Sequence, residues 1–184
     1  MKKFELISEF VTNVFGKKLF RIKALVSFGD VSAGELGGFV EKEENLSNNG
    51  NAWVAGNARV AGNARVAGDA RVSGDALVSG NAQVSGNARV SGNAWVSGDA
   101  QVAGDADFSV VTGFGRCFRA TTFFRCKDKI LRVQCGCFYG DLAKFREIVK
   151  KTHGDSKYAK EYLAIADLME LHFSDEEENQ EADK

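Results

Sequence analysis

One six-residue phrase, repeated without a slip from residue 51 to residue 108, constrains this chain more than any other feature. Asn51-Ala52-Trp53-Val54-Ala55-Gly56 is followed by Asn57-Ala58-Arg59-Val60-Ala61-Gly62, and the consensus is (Asn/Asp)-Ala-x-Val-(Ala/Ser)-Gly. Valine returns at 54, 60, 66, 72, 78, 84, 90, 96 and 102, and Phe108 takes the next slot. A short fixed period is the signature of stacked units, none of which can bury its apolar face alone. Within a unit, Ala58 and Val60 are two apart and share one face of a short strand, while Arg59 points the other way. The Gly-Asn or Gly-Asp step that follows supplies a corner, because both residue types tolerate positive φ. Identical copies cannot all be arms of simple hairpins, so the chain must coil, each strand pairing with the one a full turn below.

This pattern resembles the hexapeptide-repeat, left-handed parallel β-helix family. There an aliphatic residue begins each hexapeptide and a small residue sits two positions before it, as Val and Ala do here. The resemblance covers about residues 36–108 and implies a triangular prism with three hexapeptides per coil, commonly assembled as a homotrimer. The whole chain is also similar to phage and prophage proteins with the same repeat and a compact C-terminal domain. Those proteins carry a Gly-(Asp/Glu)-Leu-Gly-Gly-aromatic-aliphatic-Glu stretch, here Gly34 to Glu41. That second resemblance implies a setting in the cytoplasm of a bacterial host.

With three hexapeptides per coil, residues eighteen apart stack at about 4.7–4.9 Å. The outward x positions then sort into three faces. One carries Trp53, Arg71, Arg89 and Asp107, a second Arg59, Leu77 and Trp95, and a third Arg65, Gln83 and Gln101. Stacked arginines repel unless an anion or an acidic partner lies between them. The Leu77–Trp95 face is the most apolar and is the expected subunit contact.

The flanks divide the rest. Residues 1–33 read as an N-terminal cap, with Leu19 to Phe28 a strand closed by a Gly29-Asp30 turn. Residues 34–110 form the β-helix, and Val40 and Leu46 are early members of the valine column. Residues 111–173 read as a small α+β domain: strands at Arg119–Cys126 and Ile130–Cys135, then a helix capped by Asp141 and stopped by Gly154. A second helix begins at Asp155 or Ser156, and residues 174–184 read as an acidic disordered tail. The fold expected is therefore mainly β, a left-handed parallel β-helix with a small C-terminal α+β domain.

Composition narrows function chiefly by exclusion. The 184 residues carry a net charge of −1 and 44% hydrophobic content, as soluble proteins do. No stretch reaches the roughly 18 apolar residues of a membrane span, and Met1 to Phe15 lacks the pattern of a secretory signal. The two histidines, His153 and His172, lie outside the repeats. Hexapeptide acyltransferases use a coil histidine as general base, so acyl transfer is an alternative with a poorly met requirement. No catalytic residue and no cofactor is assigned. Cys117, Cys126, Cys135 and Cys137 have loose spacing for zinc and read first as small hydrophobes in a sheet, so no metal site is assigned.

Charge distribution says more. Between Arg116 and Lys160 there are twelve basic residues against four acidic ones. A local excess of this kind favours an anionic partner, although solvated helix faces would produce it too. The prism arginines are offset by Asp69, Asp75, Asp99 and Asp105, so a small anion fits better than long nucleic acid. The resemblance to phage proteins implies a role in disabling a bacterial host pathway, and the expected function is a non-catalytic, phage-type binding protein that sequesters a nucleotide immune signal between subunits, as counter-defence. Arginine would pair with phosphate and an aromatic ring would stack on the base. The candidate ligand-binding residues are Trp53, Arg71, Arg89, Arg119, Arg125, Arg132 and Tyr139. The alternative of a different class is a structural or protein-interaction scaffold.

Overall fold

A computed structural model describes residues 2–174, with the side chain of Asp105 left aside. From residue 175 onward the expected acidic tail lies outside the described residues. The chain opens with β1 (Phe4–Thr12), β2 (Lys18–Ala24) and β3 (Leu36–Val40). Among the described residues the repeats form nine two-residue strands: β4 (Trp53–Val54), β5 (Arg59–Val60), β6 (Arg65–Val66), β7 (Arg71–Val72), β8 (Leu77–Val78), β9 (Gln83–Val84), β10 (Arg89–Val90), β11 (Trp95–Val96) and β12 (Gln101–Val102). β13 (Phe108–Val111), β14 (Thr121–Arg125), β15 (Leu131–Cys135) and β16 (Phe138–Asp141) follow, then helices α1 (Leu142–His153) and α2 (Lys157–Phe173).

The coil is a parallel β-helix with an eighteen-residue turn. Arg71 pairs with Trp53 on one side and with Arg89 on the other, and the β5–β8–β11 and β6–β9–β12 faces keep the same register. Backbone ladders run between coils, as in Arg71 N–H to Ala88 C=O at 2.9 Å and Ser73 N–H to Val90 C=O at 2.9 Å. Alanine and valine make the two interior columns, each residue at most 1% exposed. The corners need glycine: Gly74 has φ +68°, and a Cβ there would sit 2.9 Å from the Gly92 nitrogen one coil on.

The N-terminal strands extend one face of the coil. β1 and β2 are antiparallel, β2 pairs with β3, and β3 pairs in parallel with β5 at Phe39–Arg59 and Val40–Val60. The strand expected at 19–28 ends at Ala24, because Phe28 and Val31 pair across a turn at Gly29-Asp30. β1 escaped the sequence reading because a register shift between Leu6 and Phe10 breaks its alternation. Gly37 is where β3 crosses the first coil, and a Cβ there would lie 2.5 Å from Ile22 Cγ1 and from the Val54 carbonyl.

At the other end, β13 to β16 form an antiparallel sheet that covers the last coil. Neighbouring residues of β14 point to opposite sides. Phe124 joins the coil's interior, while Phe123 packs with Val133, Phe145 and Tyr162 beneath the helices. Polar contacts seal the seam: Trp95 N–H donates to Thr122 Oγ1 at 3.0 Å, and Ser97 Oγ donates to Gln134 Oε1 at 3.0 Å. Asp141 caps α1 by accepting from Lys144 N–H at 2.8 Å, Gly154 ends it, and Ser156 caps α2. The boundary near residue 110 is thus crossed by a shared core.

Candidate functional site

The face formed by β4, β7 and β10 holds the stacked positions Trp53, Arg71 and Arg89. Its first position does not face solvent. Trp53 is fully buried, its ring edge-on to Phe28 at 5.5 Å, under the loop that carries Phe28 to Val31. The repeat places position 53 outward, and a segment from another part of the chain folds over it. Trp53 therefore offers no stacking surface to a ligand, which corrects its assignment as a binding residue. Asp107, expected outward beneath Arg89, instead turns back to accept from Ala103 N–H at 2.8 Å and Gly104 N–H at 3.0 Å.

The same loop answers the stacked arginines. Asp30 forms an ion pair with Arg71, the acidic partner that such a stack calls for. Burial, and next the Arg89 guanidinium, push the Arg71 pKa below its ordinary value. Lys3 lies behind this group: its amine donates to the Ala52 carbonyl at 2.9 Å and the Gly50 carbonyl at 3.3 Å, and it sits 4.5 Å over the Phe28 ring. Burial, then the charge of Arg71, lower its pKa to about 8, against an upward pull from Asp69.

Arg71 and Arg89 form the floor of a groove of about 940 Å³ lined also by Asp30, Asn51, Asp69, Ser73, Asn87 and Ser91. A second depression of about 350 Å³ adjoins it, sharing Arg89 and Ser91 and walled by Phe108, Ser109 and Val110. The arrangement offers two guanidiniums, uncharged hydroxyl and amide groups, two carboxylates and an apolar end wall. That set suits reversible anion binding by charge-assisted hydrogen bonds.

The four other candidates do not line this cleft. Arg125 donates to the Phe173 carbonyl at 2.9 Å and ties β14 to the end of α2. Arg132 pairs with Asp128 at 2.7 Å across the β14–β15 turn. Arg119 is exposed, with its guanidinium against Gly136. Tyr139 stacks on Phe124 at 6.3 Å between ring centres, and burial raises the pKa of its hydroxyl. Part of the basic excess is met within the helices, where Arg146 pairs with Asp167 at 2.8 Å and Glu170 at 2.7 Å. Asp30 and Phe108 are among the cleft residues that sequence reasoning missed. The Gly29-Asp30 turn was visible, but nothing local says that it lies across Arg71.

His153 packs on Tyr162 at 5.8 Å and His172 on Phe173 at 4.9 Å, both on the terminal helices. Cys126 is buried, Cys135 half-buried, and Cys117 and Cys137 exposed. Among the described residues, no three His, Cys, Asp or Glu side chains gather as a metal ion would require. Nor, among them, is any helix long and apolar enough to cross a membrane.

The chain is similar to a family described as YdcK Beta solenoid repeat, whose pattern matches residues 70–86 and 82–98. The match falls on coils that include Arg71 and Arg89, and with the structure it supports a β-solenoid repeat protein. No curated protein matches the chain.

Proposed function

We propose that this chain is a non-catalytic binding protein of phage type, and that the Arg71–Arg89 cleft holds an anionic nucleotide signal. In this reading it assembles as a homotrimer through the Leu77–Trp95 face and acts by sequestration in the cytoplasm of a bacterial host. The observation that carries it is the register-paired Arg71 and Arg89 on the floor of one groove. Asp30 meets Arg71, and an anion that bridges both guanidiniums exchanges with such protein partners through charge-assisted hydrogen bonds.

The test is mass spectrometry of small molecules released by denaturing the purified protein, followed by calorimetry with cyclic di- and trinucleotides and cyclic ADP-ribose isomers. Binding that vanishes in Arg71→Ala and Arg89→Ala is the expected result. Silence from every anion sinks the proposal.

A scaffold reading has its own supporting observation. The β1–β2 turn is held by Asn13, whose side chain accepts from the backbone of Phe15 at 3.0 Å and Lys17 at 2.9 Å. It presents Val14 and Phe15, 94% and 84% exposed, as an apolar tip of the kind that docks on a protein. On that reading Phe15→Ser abolishes a cellular phenotype that Arg89→Ala leaves intact.

A further inference from the structure

The charge balance and shape of the cleft say which anions it takes, an inference that rests on the ligand-site reading above. Arg71 and Arg89 are direct register partners, so their stems leave the sheet about 4.8 Å apart. At that spacing both guanidiniums reach oxygens of one phosphoryl group. The carboxylates then set a limit. Asp30 is paired with Arg71, and Asp69 lies in the same lining, so the groove's two guanidiniums face two carboxylates. Lys3 adds little reach, because its amine is spent on the carbonyls of Gly50 and Ala52 under Phe28.

A ligand bearing one or two negative charges replaces Asp30 at Arg71 and leaves the cleft close to neutral. One bearing three or four sets surplus charge beside Asp30 and Asp69, and that repulsion grows in a partly enclosed groove. The apolar end has its own requirement. Beyond Arg89 and Ser91 the surface continues onto half-buried Phe108 and Val110, with Ser109 between them. An uncharged aromatic group attached to the phosphate covers that wall, and inorganic phosphate cannot.

We infer that the cleft takes a singly or doubly charged phosphate ester, its phosphoryl group on Arg71 and Arg89 and its aromatic part against Phe108 and Val110. Polyphosphates and nucleic-acid strands are disfavoured by Asp30 and Asp69.

Calorimetry on the full chain in EDTA tests this, with AMP, GMP, CMP and UMP set against their triphosphates, inorganic phosphate and tripolyphosphate. At least one monophosphate is expected to bind about tenfold more tightly than its triphosphate and than inorganic phosphate, as loss of one charge-assisted contact or its equivalent would produce. Arg89→Ala should remove that binding. Asp30→Asn and Asp69→Asn together should narrow or invert the preference over the triphosphate. Triphosphates or tripolyphosphate binding more tightly than every monophosphate overturns the inference while leaving an anion site in place. Monophosphates no tighter than inorganic phosphate overturn the role of Phe108 and Val110. Binding of no anion, or binding indifferent to Arg89→Ala, removes the ligand-site reading itself. The wild-type comparison needs no variant to fold.

Discussion

Lys3 places an amine where the open end of the coil would otherwise leave the Gly50 and Ala52 carbonyls without donors. The side chain is buried, and its pKa falls from 10.5 to about 8. Between those values the folded protein has released a proton that the unfolded chain still holds, so stability rises with pH across the window. Lys3→Met lacks this dependence. Urea unfolding of both proteins from pH 7 to 10.5 should show the wild type gaining on the variant above pH 8, and parallel curves would count against the burial of this amine. Val78 makes the complementary case, because it has no polar role and is 0% exposed. Val78→Asp forfeits roughly 1.5–3 kcal/mol of burial and sets an unpaired carboxylate among alanine and valine methyls. A melting temperature close to wild type would mean that the column does not carry the coil.

At the scale of elements, the crossing of β3 over the first coil has little tolerance. Gly37 leaves no room for a Cβ between Ile22 and the Val54 carbonyl, and Gly38 none beside the Ala58 carbonyl. Gly37→Ala should cost about 1–3 kcal/mol, as overpacking does, and thermal melts against Gly104→Ala, where φ is −151° and a Cβ meets nothing within 4 Å, give the comparison. The helices were legible in the sequence: Asp141, Gly154 and Ser156 are local signals and act locally. β1 was not, because a strand with a register shift shows no clean period. β13 and β16 were missed for a related reason. They are four residues each and gain their definition from pairing with β14 and β15.

At the scale of the whole molecule, both ends of the coil are closed, by the N-terminal hairpin and by the β13–β16 sheet. That leaves the sides for association. On the β5–β8–β11 face Trp95 is 37% exposed and stacks on half-buried Leu77. If this face joins subunits in a trimer, Leu77→Glu with Trp95→Glu should give a monomer in sedimentation while the coil's circular dichroism persists. An unchanged sedimentation coefficient would place the contact elsewhere or remove it.

The sequence alone determined the period, the interior columns and the corners, because each follows from neighbours within six residues; the eighteen-residue turn was implied by the resemblance to the hexapeptide-repeat family, and the strand register bears it out. Given that turn length, the sequence also placed Arg71 over Arg89. Only the tertiary structure decided that Trp53 is covered, that Asp30 pairs with Arg71, that Asp107 turns back to cap the coil, and that Phe108 walls the cleft. Asp30 and Arg71 are far apart along the chain, and Lys3 and Ala52 are farther still. Such contacts depend on where a non-repeating segment comes to rest against the coil, and no local period encodes that position.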